Sequence, residues 1–430
     1  MDVKIGWSKR KIILKKETRL AGYAPLRLSR DIHDAIFTKV LAIQQSEKWY
    51  FLVVLDLIAI DNYFYERIKQ GMEEENLPIS NLTISVTHTH SAPEGTTKTN
   101  TGVLKGADNI LGQWDEEYVN LCVEQTIKAA AEAIQKADSA TLKVGSSLID
   151  NIGRNRNDKE GPYDEKLLAI EIKLANERKM ILYHYACHPT VLSQKNTLIS
   201  QDFPYSVEEK LNEYELVLFI NGNCGDISTR FTRDSSDFSQ IEKFGNEIAQ
   251  KIREAVQSSV REERLKKLEI KETTINLKSK KVEDAEKAEK RLEQVEDALK
   301  KEKNLKKRRL LETKEDGARV NLYLAKNLSD VQSIPLYCQL ISINNINILT
   351  FPGEIYYELV KDFKLKHNLE IFGYTNGFNF YLTSQNAFDE EYYEALSSPF
   401  EKGEGEVFLQ KITQSNLLKK GEKNVCKKLF

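Results

Sequence analysis

Strand-sized runs of β-branched and aromatic residues alternate with amphipathic helical segments along this chain, and that alternation limits its fold more than any other feature. The runs cover residues 49–55, 82–87, 180–186, 216–220 and 346–351. Between them, Tyr118, Cys122, Ile127, Ala130 and Ile134 recur at helical spacing, and Phe238, Ile241, Phe244, Ile248 and Ile252 repeat the pattern. Strands that alternate with helices predict an α/β core. Residues 336–343 and 346–351 are separated only by Asn344 and Asn345, which tolerate the left-handed conformations of a tight hairpin. The expected sheet is therefore mixed and flanked by helices.

Residues 280–316 are the most biased segment. Val282, Ala285, Leu292, Val295 and Leu299 fall on one helical face amid dense Lys, Arg and Glu, which predicts a charged helical hairpin. Its basic run at 300–309 is interleaved with acids and reads as a solvated helix face. With no internal repeat and no Pro/Gly-rich linker, the expectation is one catalytic domain over 1–430 carrying a helical insertion at 280–316.

Composition narrows the partners. The 63 basic and 65 acidic residues nearly cancel, so no overall positive field draws the protein to nucleic acid or an anionic membrane surface, and a small molecule is the expected partner. No window approaches the roughly 20 apolar residues of a transmembrane helix. The N-terminus lacks the apolar stretch of a secretory signal, giving the expectation of a cytoplasmic protein. Five cysteines without CxxC spacing are expected to be reduced thiols.

The strongest local signal is Thr87-His88-Thr89-His90-Ser91-Ala92-Pro93-Glu94-Gly95, directly after a strand. Alternation of strand side chains would project His88 and His90 to one face, where one can bind a metal and the other contact substrate. An isolated pair of this kind serves equally well as hydrogen-bonded core histidines. Three further strands change the balance. They end in Cys187-His188-Pro189, in Asn223-Cys224-Gly225-Asp226-Ile227-Ser228, and in Pro352-Gly353-Glu354. Their loops are expected to meet at one sheet edge, where two imidazoles and a carboxylate make a catalytic zinc set. His184, four residues before His188 on a strand, lies too far along it to share that metal, and is expected to be structural with His33 and His367.

At these residues the chain resembles the neutral/alkaline non-lysosomal ceramidase family, in its catalytic N-terminal part. The family's THTHSGPGG corresponds to THTHSAPEG at 87–95, and its NxGDxSP to Asn223 through Ser228, with Thr229 where proline is usual. Asn151-Ile152-Gly153-Arg154, Ala186-Cys187-His188, Phe351-Pro352-Gly353-Glu354, and Tyr381-Leu382-Thr383 with Tyr393-Glu394 follow in family order. The resemblance implies zinc held by His88, His188, Glu354 and Tyr381. It also implies that His90, Arg154, Ser228 and Tyr393 surround the scissile carbonyl of an N-acyl amide, lipid or polar. Pro93-Glu94-Gly95 departs from the family's glycines and would place an acid beside the metal loop, suited to a polar or cationic leaving amine better than to two long acyl chains. Two other functions stay open at this stage: a metal-independent serine hydrolase using Ser228, and a non-catalytic binding protein that retains the fold.

Overall fold

The computed structural model describes residues 3–12, 17–105, 107–259, 262–281, 285–327 and 332–418. Its largest sheet runs in the order Leu216–Asn221, Lys179–Tyr185, Lys166–Leu174, Asp138–Leu148, Val3–Lys11, Phe37–Gln45, Lys48–Leu55 and Ile79–Val86, with Glu262–Arg264 paired beside Asp138–Leu148. Two pairs are parallel, Lys179–Tyr185 with Leu216–Asn221 and Lys48–Leu55 with Ile79–Val86, and the others are antiparallel. The mixed sheet expected from the sequence is present.

Helices Asn62–Glu74 and Glu116–Gln135 cover one stretch of this sheet, and Phe203–Lys210 and Phe238–Ser258 another. Aspartates start all four: Asp61, Asp115, Asp202 and Asp237 accept backbone N–H groups of the first turn from Phe64, Tyr118, Phe203 and Ser239. Two glycines let helix and strand touch. A Cβ on Gly6 would lie 2.0 Å from Ala133 O, and one on Gly145 1.7 Å from Ala255 O. Only glycine fits there.

The opposite face packs on a second sheet of Leu268–Lys278, Ser333–Ile343, Ile346–Thr350 and Glu370–Phe372, through Leu41, Ile43, Ile170, Leu218, Ile341 and Ile348. Helices Tyr357–His367 and Glu404–Gln414 close the far side of that sheet with Val360, Phe363, Phe408 and Ile412. The result is a four-layer helix–sheet–sheet–helix arrangement. The expected hairpin forms with Ile343 opposite Ile346 and Asn344 at φ +51°.

The charged segment is a helical hairpin of Ala285–Lys301 and Leu305–Asn327, so it extends beyond the expected end at Asp316. The extra turns are less charged, and Ala318, Asn321 and Leu324 are buried there. Val282 lies outside the described residues. Cys122, Cys187, Cys224 and Cys338 are buried free thiols, and Cys426 also lies outside the described residues. Among the described residues, no helix is long and apolar enough to cross a membrane.

Candidate metal centre and active site

The large sheet brings its two end strands together. Asn221 Nδ2, at the end of Leu216–Asn221, donates to Thr87 O just beyond Ile79–Val86 at 3.2 Å. Loops from opposite ends of the sheet order therefore share one site. The fourth loop arrives from the second sheet, after Ile346–Thr350, so two sheets build the edge that the sequence suggested one would.

The strand before the paired histidines stops at Val86, and His88 sits in the left-handed region at φ +65°. Strand alternation is thus not what aligns His88 with His90. The turn is fixed by His88 N donating to Leu57 O at 2.9 Å and Nδ1 donating to Ile58 O at 2.7 Å. His188 follows the same rule, with Nδ1 donating to Ile227 O at 2.9 Å. Each bond fixes the tautomer and leaves Nε2 as a lone pair directed into the site.

Those lone pairs converge. His90 Nε2 lies 3.3 Å from His88 Nε2, and one ligand atom from each of His88, His90 and His188 falls within 4.8 Å of the others. Glu354 Oε2 lies 2.8 Å from His188 Nε2 and 3.7 Å from His88 Nε2. A short parallel ladder pairs Glu354 with Tyr381, whose hydroxyl bonds the Glu354 carboxylate. The four residues expected to hold zinc therefore occupy one cluster.

The residues expected around the substrate are placed less uniformly. His90 packs against Tyr23, ring centroids 4.9 Å apart, and its buried Nδ1 has no hydrogen-bond partner among the described residues. Tyr393 stands beside Tyr381 with ring centroids 5.8 Å apart. Ser228 is buried opposite Arg154 in a two-residue ladder, and its Oγ accepts from Arg230 N at 3.3 Å. Among the described residues, no histidine bonds that hydroxyl. Arg154 stacks its guanidinium on Tyr163 at 4.1 Å. Glu94 Oε1 accepts from Arg19 Nε at 2.7 Å, while its Oε2 is buried without a hydrogen-bond partner among the described residues.

Arg156, two residues beyond the arginine of the family-like segment, reaches the cluster. After the ladder ends at Asn155, Asn155 Oδ1 accepts from Asn157 N and Asp158 N, both at 3.0 Å, and the resulting turn swings Arg156 inward. Its Nη1 lies 3.5 Å from His188 Nε2, Nη2 donates to Gly225 O at 2.7 Å, and Nε pairs with Glu394. Glu394 also accepts from Tyr356 OH at 2.7 Å and Asn157 Nδ2 at 2.9 Å. Tyr374 is the other residue missed: its hydroxyl lies 3.3 Å from Glu354 Oε2. The sequence does not separate Arg156 from Arg154, because the burial of Glu394, which calls for a cation, is visible only in the fold.

A sequence profile described as "Neutral/alkaline non-lysosomal ceramidase, N-terminal" matches residues 5–232, more than half of the chain. The chain belongs to that family. No curated protein matches it in sequence. Two solved structures share the fold at 15% identity. Neutral ceramidase from Pseudomonas aeruginosa has a TM-score of 0.72, covering 97% of this chain and 74% of its own. A structure titled "Ceramidase complexed with C2" has a TM-score of 0.70, with 95% and 74% covered.

The electrostatics of this ceramidase-family site suit a bound cation. Burial, joined by the neighbouring His188, lowers His88 to about 4, and burial with the Arg156 charge lowers His188 to about 3. Burial also holds His90 well below its usual value. All three imidazoles are therefore neutral at physiological pH, as metal ligands must be. Burial raises the Glu354 carboxyl against the opposing pull of His88, Arg156 and Tyr381. Burial likewise acts to raise Glu394, but Arg156 and the hydroxyl of Tyr356 outweigh it and hold the carboxyl below its ordinary value. Facing imidazole lone pairs beside a buried carboxylate are mutually repulsive unless a cation lies between them. On the donor set and its geometry, a divalent metal fits.

Proposed function

We propose that this chain is a zinc-dependent hydrolase that cleaves an N-acyl amide bond, with ceramide among its candidate substrates. The observation that carries the proposal is the convergence of His88, His90 and His188 on the buried Glu354 carboxylate. His88, His188, Glu354 and Tyr381 would hold the zinc, which supplies Lewis acidity and nucleophile activation at neutral pH.

The protein's own groups divide the remaining work. Arg156, kept charged by Glu394, offers guanidinium donors where charge develops on the amide oxygen, and Tyr393, whose ring packs beside Tyr381, would offer a hydroxyl. His90 is neutral, and its Nε2, 3.3 Å from His88 Nε2, faces the cluster; that nitrogen accepts the proton lost by the attacking water and returns it to the leaving nitrogen. Ser228 contributes hydrogen bonding; among the described residues no histidine bonds it to serve as the base a nucleophile needs. Arg154 supports the strand opposite Ser228. A cytoplasmic setting is part of the same proposal, and cell fractionation tests it.

The deciding experiment is elemental analysis of purified protein beside a His88→Ala, His188→Ala double variant, with both assayed on a panel of N-acyl amides that includes ceramide. Stoichiometric zinc that disappears from the variant together with activity supports the proposal. Absence of zinc from active wild-type protein overturns it.

A further inference from the structure

The charged hairpin Ala285–Asn327 touches the main fold at one functionally placed point. A Cβ built on Gly317 would lie 3.2 Å from Tyr393 Cα and 3.0 Å from Leu396 Cδ1, so the helix backbone rests directly on the turn Tyr393–Leu396. Apart from proline, glycine is the weakest helix former, and an arm that only projected into solvent would have no use for one in its interior. Around it, Ala318, Asn321 and Leu324 are buried, although the helix as a whole is highly charged. Lys280, where the chain enters the arm, joins the two parts. Its Nζ donates to Asn321 Oδ1 at 3.1 Å, Leu396 O at 3.1 Å and Ala395 O at 3.3 Å. The first helix braces the second through Glu296 and Arg319, 2.6 Å apart.

The turn held in this way carries Tyr393, beside Tyr381, and Glu394, the partner of Arg156. We infer that the hairpin is a positioning element of the active site, with Gly317 and Lys280 setting how far the Tyr393–Glu394 wall stands from the histidine cluster. The inference rests on the hydrolase proposal for its kinetic consequence, though not for its structural one. Displacing that wall by even an ångström would misplace both the Tyr393 hydroxyl and the carboxylate that aims Arg156, and misplacements of that size cost about 100-fold in rate.

The test compares wild type with Gly317→Ala, Gly317→Val, Lys280→Met and, as a control on the arm's outer surface, Lys300→Ala, whose ion pair stays within its own helix. Hydrogen exchange over residues 391–399, bound zinc and steady-state kinetics on an accepted N-acyl amide are measured for each. Faster exchange at 391–399 is expected in Gly317→Val and Lys280→Met. Their kcat should fall roughly 10- to 100-fold, with little change in KM and unchanged zinc; Gly317→Ala should be intermediate and Lys300→Ala like wild type. Wild-type exchange and kcat in folded Gly317→Val or Lys280→Met would overturn the inference. If Gly317→Val does not fold, Lys280→Met decides. A wild-type protein that holds no zinc and cleaves no amide would defeat the hydrolase proposal alone, because the exchange data would still show whether the arm holds the turn.

Discussion

The Tyr374 ring lies face to face with the His88 imidazole, centroids 4.2 Å apart and planes inclined by 27°. The same residue reaches Glu354 Oε2 at 3.3 Å and Cys224 Sγ at 3.1 Å through its hydroxyl, and it adopts φ +53°. A buried tyrosine in the left-handed region is strained, and such strain persists only where the surroundings enforce it. Tyr374 thus constrains two of the presumed zinc ligands at once.

Tyr374→Phe keeps the stacked ring and removes the hydroxyl. We expect zinc affinity, measured by competition with a chelator, or kcat/KM to fall about 10- to 100-fold, the usual cost of losing a partner behind a metal ligand. If both stay at wild-type levels, the hydroxyl has no role in holding Glu354.

The two arginines give opposite expectations. Arg156→Lys should lower kcat about 100- to 1,000-fold, as expected for an oxyanion donor, while Arg154→Ala should stay within a few-fold of wild type. Lysine is the better probe at position 156. Alanine would leave Glu394 buried without its cation, at a cost of about 3–5 kcal/mol in stability that would obscure the kinetic effect. Comparable losses in both variants would return Arg154 to the reaction.

Much of this was legible in the sequence because the governing rules are local. The alternation of strands and helices gave the mixed sheet, and the ends of strands marked His188 and Glu354. What escaped depends on long-range closure. Nothing local says that the ends of the sheet approach until Asn221 bonds Thr87 O, or that a second sheet supplies Glu354. Arg154 and Arg156 stand two residues apart, so only the turn at Asn155 decides which one enters the site. Tyr374 carried no motif signal, since its role comes from a backbone conformation that tyrosine seldom adopts.

Acid sensitivity can be isolated at His184, which is buried away from the cluster, with Nδ1 donating to Ile220 O at 3.2 Å. Burial lowers it to about 4 from an ordinary 6.5. Above pH 6.5 neither the folded nor the unfolded chain protonates it. Between 6.5 and about 4 only the unfolded chain does, so its contribution to stability falls by about 1.4 kcal/mol per pH unit. His184→Asn keeps a donor for Ile220 O but does not titrate. Its stability relative to wild type, measured by denaturant unfolding in chelator, should therefore improve steadily from pH 6.5 to 4.5. A constant difference across that range would show that His184 titrates normally.

His90 differs from the other two imidazoles in one respect that an experiment can separate. His88 and His188 are each locked by an Nδ1–H donated to a backbone carbonyl, the arrangement that orients a metal ligand, whereas His90 Nδ1 has no partner among the described residues. A ring without that lock suits proton transfer better than permanent coordination. His90→Ala is therefore expected to keep wild-type zinc after dialysis against a weak chelator while losing at least about 100-fold in kcat, the scale of a general acid–base group. His88→Ala and His188→Ala should lose the zinc itself. Equal zinc loss in all three variants would instead mean that the three imidazoles bind the ion together, and the proton carrier would have to be sought elsewhere, with the Tyr393 hydroxyl the next group to test.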